Sequence, residues 1–298
     1  MKNQVTLFLM SQKGLKVLET LGKEFSDIID FVVIGRDLNV QNDYYDEICQ
    51  ACNELGIKFY DRKDSFQVES SYAIAISWRW LINLTDSKLI IFHDSLLPKY
   101  RGFNPLVTCL INGETTIGVS AIFATQEYDR GDIIYQSASS IYYPQKIENA
   151  IDIVANNYVD LARKLLTDIV DGQTLIGEKQ DESQASYSLW RDEEDYLIDW
   201  TNSAAEISRF IDSVGFPYSG ASTFINNKLV RILESEEIND VVIENRTPGK
   251  VIFIQDSNPV IVCGKGLLKI LSMIDDETGD NLLPLNNFRV RMTNSKSN

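Results

Sequence analysis

The stretch Lys88-Leu-Ile-Ile-Phe-His-Asp-Ser-Leu-Leu-Pro-Lys-Tyr-Arg-Gly102 joins a predicted strand to the loop that follows it. Residues 88–92 form an apolar run that predicts a buried strand, and the Pro, Arg and Gly near the end indicate a loop. His93 is the one histidine of the chain and lies where the predicted strand stops. Ligands of open α/β sheets bind beyond the carboxyl ends of the strands, so this position predicts a functional site. The alternative is a hydrogen-bonded core histidine, and the polar and charged residues Asp94, Ser95, Lys99 and Arg101 in the same loop favour the site.

Apolar runs and amphipathic helical stripes alternate on the amino-terminal side of this stretch. Because strands separated by helices pair in parallel through right-handed crossovers, the alternation predicts an α/β fold with a doubly wound, mostly parallel sheet. A standard dinucleotide-binding turn is not supported, since no Gly-x-Gly-x-x-Gly follows the first strand. The predicted strands are 4–10, 29–34, 58–60, 72–77, 89–93, 116–123 and 133–139, and the predicted helices are 14–23, 43–55, 104–112 and 148–170.

The carboxyl-terminal part of the chain changes pattern and predicts a second, smaller, β-rich domain. Ser203-x-x-Glu206 is a capping box that opens a helix, and five short strands with hairpin turns follow it. The acidic residues 178–202, with isolated aromatics, predict a linker. We therefore expect domains at 1–177 and 203–292, the linker between them, and a tail at 293–298.

Composition excludes several function classes. Of 298 residues 44% are apolar and 24% charged, and no apolar run is long enough for a membrane span. Four cysteines without a secretory signal predict a reducing cytoplasm. Cys49 and Cys52 lack a second pair, so we expect helix-face thiols and no metal. The net charge of −15 disfavours nucleic acid, because such binding needs a basic surface.

Two segments carry a resemblance to a known family. The loop His-x-Ser-Leu-Leu-Pro-x-Tyr-Arg-Gly at 93–102 resembles the signature of the formyltransferases that use 10-formyltetrahydrofolate. The segment Tyr-Asp-Arg-Gly-Asp-Ile at 128–133 is similar to the second half of that signature, and we expect its Gly131 at positive φ. Residues 198–200 and 217–221 resemble, more weakly, the carboxyl-terminal module of two-domain members, which is similar to an OB-type barrel.

The resemblance implies a site and a co-substrate, 10-formyltetrahydrofolate. His93 is the candidate donor and general acid–base, and Asp129 would orient it or relay a proton. Asp94 and Asp132 are the fallback carboxylates. The acceptor substrate would be bound by Ser95, Lys99, Tyr100, Arg101, Gly102 and Asn104, and the folate by Trp78, Arg79, Trp80 and Asp132. The two tryptophans have an alternative interpretation, which is that they cover the edge of the core.

One position departs from the family pattern. The family has an asparagine two residues before the histidine, and this chain has Ile91 there. Ile91 cannot donate a hydrogen bond to an oxyanion. Three alternatives stay open: Ser95 or a backbone N–H substitutes for the missing donor, the enzyme is slower, or the chain is a non-catalytic folate-binding relative.

The last question for the sequence is which substrate carries the amine that accepts the formyl group. The two-domain branch of the family acts on methionyl-tRNA and on nucleotide-linked amino sugars. Residues 205–298 contain ten basic and twelve acidic residues, so the predicted second domain is not a basic surface for tRNA. We therefore expect a nucleotide-linked amino sugar, with methionyl-tRNA as the alternative. No membrane partner is expected, and a homodimer stays open.

Overall fold

The computed structural model describes residues 4–37, 40, 42–84 and 87–296, and the chain forms two compact units. The first unit is Met1–Leu106, Thr115–Ile141 and Ala150–Leu189, and the second is Val107–Glu114, Tyr142–Asn149 and Trp190–Asn298. The expected linker thus divides after residue 189, and two short segments expected in the domain at 1–177 belong to the second unit.

The first unit is built on a seven-stranded sheet in the order β3-β2-β1-β4-β5-β7-β8. Strands β1 to β5 are parallel, while β7 and β8 are antiparallel additions at one edge. This confirms the doubly wound, mostly parallel fold. The strands are β1 Val5–Leu9, β2 Ile29–Ile34, β3 Phe59–Asp61, β4 Tyr72–Ile76, β5 Lys88–His93, β6 Arg101–Gly102, β7 Thr116–Phe123, β8 Ile133–Ser140 and β9 Tyr187–Ser188.

Helices and a small second sheet accompany these strands, although most of α3 belongs to the second unit. The predicted stop of the second helix at Gly56 is confirmed, since that glycine caps the helix in the left-handed conformation at φ 67°. Strands β6 and β9 pair in parallel as a two-stranded sheet, and β9 lies inside the stretch expected to be a linker. The helices are α1 Ser11–Leu21, α2 Tyr45–Leu55, α3 Pro105–Ile111 and α4 Ile147–Val170.

One face of the large sheet carries an aromatic and apolar cluster. Phe8, Ala75 and Ile91 are in register across β1, β4 and β5, so their side chains share that face. Ile91 is half-buried and packs on the cluster, as does Trp78. Because strand side chains alternate, His93 lies on the same face two residues further along, at the strand end.

The second unit contains most of α3, a further helix and a separate six-stranded antiparallel sheet in the order β12-β13-β14-β11-β10-β15. A bulge between Ile232 and Ser235 interrupts the register of the longest strand and lets it bend. Residue 293 of the expected tail is in the last strand. The elements are α5 Ala204–Ser213, β10 Ala221–Ile225, β11 Lys228–Ile238, β12 Val251–Gln255, β13 Asn258–Val262, β14 Leu267–Asp275 and β15 Met292–Thr293.

The capping box at the start of α5 forms as predicted, because Ser203 and Glu206 each bond the backbone N–H of the other. The hairpin turn at Asn226-Asn227 is also present, with φ angles of 50° and 67°. Within the described residues, no helix has both the length and the apolar character needed to span a bilayer.

Candidate active site

The imidazole of His93 lies between two hydrogen-bond acceptors. Its Nε2 is 2.8 Å from the carbonyl oxygen of Tyr100, and its Nδ1 is 3.4 Å from the Asp129 carboxylate. The side chain of His93 is 8% exposed and that of Asp129 is 15% exposed. The structure therefore brings together the two predicted catalytic residues, which are 36 positions apart in the sequence.

The loop that carries Asp129 is held in an uncommon conformation. Asp129 itself has φ 57°, in the left-handed region, and its second carboxylate oxygen accepts the Gly102 N–H at 2.8 Å. Gly131 has no positive φ, contrary to the expectation, and its role is a close approach instead. A Cβ at Gly131 would lie 1.6 Å from the carbonyl oxygen of Phe123, so only glycine fits there.

Gln180 fastens this loop from outside the signature. Its side-chain amide donates to the carbonyl oxygens of Asp129 and Gly131, at 2.7 and 2.8 Å. Its side-chain oxygen accepts from Arg101 at 2.7 and 3.1 Å. Gln180 thus joins the two halves of the signature, and sequence analysis missed it because residues 178–202 were assigned to a linker.

Arg101 was predicted to bind substrate, but its guanidinium is turned inward. The side chain is 1% exposed and forms a bidentate pair with Glu182 at 2.8 and 2.9 Å. Hydrogen bonds from Arg101 hold the pKa of the Glu182 carboxyl below its ordinary value. Hydrogen bonds from Arg101 and Arg130 likewise lower the pKa of Tyr187. The donors of Arg101 thus go to the neighbouring segment, which makes it a residue that positions the loop.

Backbone bonds complete this attachment. Tyr100 donates its N–H to the Ser186 hydroxyl at 2.9 Å, Arg101 donates to the Ser186 carbonyl at 2.9 Å, and Phe103 donates to the Ser188 carbonyl at 3.1 Å. A Cβ at Gly102, which has φ 101°, would lie 2.5 Å from the Ser188 carbonyl oxygen. Glycine is therefore required at this position of the signature by both its φ and its neighbour.

The other predicted acceptor-binding residues divide by exposure. Ser95 is buried and donates its hydroxyl to the Lys99 carbonyl at 2.6 Å, so that proton serves the loop and does not replace the missing asparagine. The Lys99 side chain is exposed, and Tyr100 and Asn104 are half-buried with φ of 60° and 47°. Their proposed contacts with substrate stay predictions.

Two of the four predicted folate-binding residues line a cavity of about 540 Å³ in the first unit. Trp78 and Trp80 form its wall, with ring centroids 5.2 Å apart and nearly perpendicular planes. Arg79 instead donates to Asp37 at 2.6 Å. Asp132 packs beside Gly177, where an added Cβ would be 2.6 Å away.

The tryptophans also cover the core, which was the alternative interpretation. Trp78 packs edge-on against Phe8 at 5.1 Å between centroids, and Trp80 lies under the Arg62 guanidinium at 4.2 Å. Phe8 lines the cavity as well. The cavity wall is therefore continuous with the sheet face that carries Ile91 and, at the strand end, His93.

Comparison with known proteins identifies the family. Residues 66–166 match the formyl transferase family and residues 191–282 match its carboxyl-terminal domain. The chain belongs to the formyl transferase family. The two matches include both halves of the signature and most of the second unit.

Two groups of relatives are similar to this formyl transferase family member. The methionyl-tRNA formyltransferase of Fusobacterium nucleatum is 31% identical over 193 residues, covering 64% of this chain and 61% of that protein. The chain aligns with 58% to 63% of the length of the first curated relatives. Among solved structures, an N-formyltransferase from Helicobacter canadensis, in complex with folinic acid and dTDP-3-aminofucose, has a TM-score of 0.68 at 18% identity.

That structural match covers 91% of this chain and 99% of the Helicobacter protein. The methionyl-tRNA formyltransferase of Clostridium thermocellum has a TM-score of 0.57 at 19% identity, covering 82% of this chain and 96% of that chain. At these identities the likeness concerns the fold.

Proposed function

We propose that this chain transfers a formyl group from 10-formyltetrahydrofolate to the amine of a nucleotide-linked amino sugar. The observation that carries the proposal is the meeting of His93 and Asp129, which come from two separate loops. They meet at the end of a strand whose face continues into the tryptophan-lined cavity. Family membership supplies the reaction class, formyl transfer.

The reaction needs charge stabilisation and proton transfer. The acceptor nitrogen attacks the formyl carbon, a bond forms between them, and the bond from that carbon to the folate nitrogen breaks. A fixed donor to the oxyanion contributes on the order of 3 kcal/mol. We assign this role to His93, whose Nε2 would have to leave the Tyr100 carbonyl oxygen to donate to the oxyanion. The proton lost by the amine ends on the folate nitrogen, and the pair of His93 and Asp129 would relay it.

The cavity fits the co-substrate by shape and by its aromatic lining. A folate carries a flat heteroaromatic ring, which stacks well on the faces of aromatic side chains. The cavity of about 540 Å³ presents Trp78, Trp80 and Phe8 to such a ring. The folinic acid in the Helicobacter canadensis complex supports the assignment of a folate to this fold.

Charge favours the sugar nucleotide as acceptor. tRNA binding needs uncompensated cations, and the chain carries −15 overall. In the second unit the guanidiniums of Arg231 and Arg246 and the ammonium of Lys269 pair with carboxylates. These three of its cations are therefore already neutralised. A diphosphate needs only a few cations, and the exposed Lys99 lies in the His93 loop.

Methionyl-tRNA is the second candidate, and the sequence relatives favour it. Formylation assays with 10-formyltetrahydrofolate, using a panel of nucleotide-linked amino sugars and charged initiator tRNA, decide between the two. We expect turnover with a sugar nucleotide and only moderate salt dependence of its binding. Turnover with tRNA alone, with affinity that falls steeply between low and physiological salt, would reverse the assignment.

Ile91→Asn tests whether this site works without the family asparagine. Ile91 shares the sheet face of His93, so the new amide would extend toward the reacting group and raise turnover. An amide that finds no partner at this half-buried position would instead lower the free energy of unfolding by roughly 1–3 kcal/mol. Formylation rates and thermal unfolding of the variant distinguish the two. Absence of any turnover in the parent chain, with folate binding intact, would favour the non-catalytic alternative.

A further inference from the structure

A second group of charged residues adjoins the catalytic histidine. The carboxylate of Asp94, the residue after His93, accepts a 2.5 Å hydrogen bond from the Tyr158 hydroxyl and forms an ion pair with the Lys13 ammonium. The ammonium also lies 5.5 Å from the centroid of the Tyr158 ring. We call Lys13, Asp94 and Tyr158 the switch-point cluster.

The name follows from the strand order. Strands β2 and β3 lie on one side of β1, and β4 and β5 lie on the other, so the order reverses between β1 and β4. Ligands of such sheets bind at the carboxyl ends of the strands beside this reversal. Lys13 is in the first turn of α1, directly after β1, while Asp94 follows β5 and Tyr158 reaches in from α4.

The cluster is well shielded from water. Tyr158 is 1% exposed, and the side chains of Lys13 and Asp94 are 11% and 22% exposed. Burial alone would raise the pKa of the Asp94 carboxyl, but the Lys13 charge and the hydrogen bonds from Lys13 and Tyr158 hold it below its ordinary value. Burial and the adjacent Asp94 raise the pKa of Tyr158 well above its ordinary value. The structure thus pairs the Asp94 carboxylate with both the Lys13 ammonium and the Tyr158 hydroxyl.

Stability does not account for such a group. Desolvation of two charges offsets much of their attraction, and replacing a buried ion pair by apolar residues of similar volume is often neutral or stabilising. The contacts of the cluster do fix the position of the Asp94 side chain and, with it, the backbone next to His93. His93 is the preceding residue, and its imidazole must hold its position against Asp129 on another loop.

We propose that Lys13 and Tyr158 are positioning residues for formyl transfer, which act by fixing Asp94 and thereby the direction of the His93 side chain. The proposal rests on the function proposed above for the site. Displacement of a reacting group by about 1 Å costs on the order of a hundredfold in rate. Loosening the cluster should therefore lower kcat and leave the KM of both substrates nearly unchanged.

The experiment compares two double variants, each with one substitution in the first turn of α1. The first carries Lys13→Met together with Asp94→Leu, which removes both charges at once. The control carries Gln12→Ala together with Asp152→Ala, which removes an exposed 2.7 Å hydrogen bond between α1 and α4. Thermal unfolding, kcat and KM are measured for both, and Tyr158→Phe and Lys13→Arg are added as conservative single variants.

A second readout does not depend on activity. Because His93 is the one histidine of the chain, its ring nitrogens give a single set of signals in a ¹⁵N-histidine NMR spectrum. We expect the charge-removed variant to unfold at or above the parent temperature, to shift these signals, and to lose kcat by about 10- to 100-fold. Lys13→Arg keeps the positive charge, so its His93 signals and its kcat should stay close to those of the parent. The control variant should match the parent in both measurements.

Three outcomes separate the proposals. Parent-like signals and parent-like kcat in the folded charge-removed variant would overturn the positioning role. Shifted signals with an inactive parent chain would keep the positioning role and overturn formyl transfer. If the charge-removed variant does not fold, Tyr158→Phe takes its place, because it removes only one hydroxyl. Parent-like His93 signals and a parent-like kcat in Tyr158→Phe would then overturn the positioning role.

Discussion

Two buried arginines, one in each unit, pair with two different carboxylates of the same acidic stretch. Arg101 is 1% exposed and holds Glu182, and Arg231 is 5% exposed and holds Glu193. Both carboxylates belong to residues 178–202, which the sequence predicts to be a linker. The chemistry at the two places is nearly the same, an inward-facing guanidinium with an exposed carboxylate.

The two arginines differ in the other residues to which their hydrogen bonds connect them. Arg101 continues through Gln180 to the backbone of Asp129, a predicted catalytic residue. Arg231 continues to Asp276 and to the carbonyl oxygen of Gly220 at 3.1 Å, within the second unit. A buried ion pair is therefore not by itself a sign of function. Loss of a buried ion pair should lower turnover only where the pair positions residues of the candidate active site.

The largest effect on turnover is expected from substitution of His93. His93→Ala removes the partner of Asp129, the residue whose loop the Arg101 contacts hold. Turnover should fall on the order of a thousandfold. Folate affinity should change little, because the cavity is lined by other residues. Rates and folate titration measure the two quantities, and near-parental turnover would make His93 a core residue.

An intermediate effect is expected from breaking the connection at Gln180. Gln180→Ala leaves the carbonyls of Asp129 and Gly131 without their donor, so the loop loosens and turnover should fall about 10- to 100-fold. Gln184→Ala, at an exposed position in the same segment, is the matched control. Equal rates for the two variants would show that Asp129 keeps its place without Gln180.

The smallest effect on turnover is expected at the second arginine. Arg231→Leu leaves Asp276 and the Gly220 carbonyl without their donor and should lower the free energy of unfolding by about 1–3 kcal/mol. Turnover of the folded fraction should match the parent. Denaturant unfolding and rates below the transition test both parts. A drop in turnover comparable to that of Gln180→Ala would remove the contrast between the two units.

Local patterns predicted much of the first unit correctly. The strands and helices before His93 appear within a few residues of their predicted bounds, because apolar periodicity reflects which face of each element is buried. The two halves of the signature were also visible, since their residues are close in sequence. Gly56 and the capping box at Ser203 were read correctly for the same local reason.

The inward turn of Arg101 could not be predicted from the loop that carries it. Its partners Gln180 and Glu182 lie about 80 positions later, in a stretch whose polar composition indicates a linker. The chain also divides differently from the expected domains, because residues 107–114 and 142–149 pack with the second unit. The composition of a segment indicates whether it can form a hydrophobic core by itself. It does not indicate which of two cores the segment packs against.

The sequence by itself determined the fold class, the signature loops and the departure at Ile91, because periodicity and short motifs are local properties of a chain. Only the tertiary structure decided that Gln180 holds Asp129, and that Lys13 and Tyr158 hold Asp94. These contacts join residues that are 51 to 81 positions apart. Desolvation makes an unpaired buried charge costly, so the partner of each such group is fixed by where the folded chain places it.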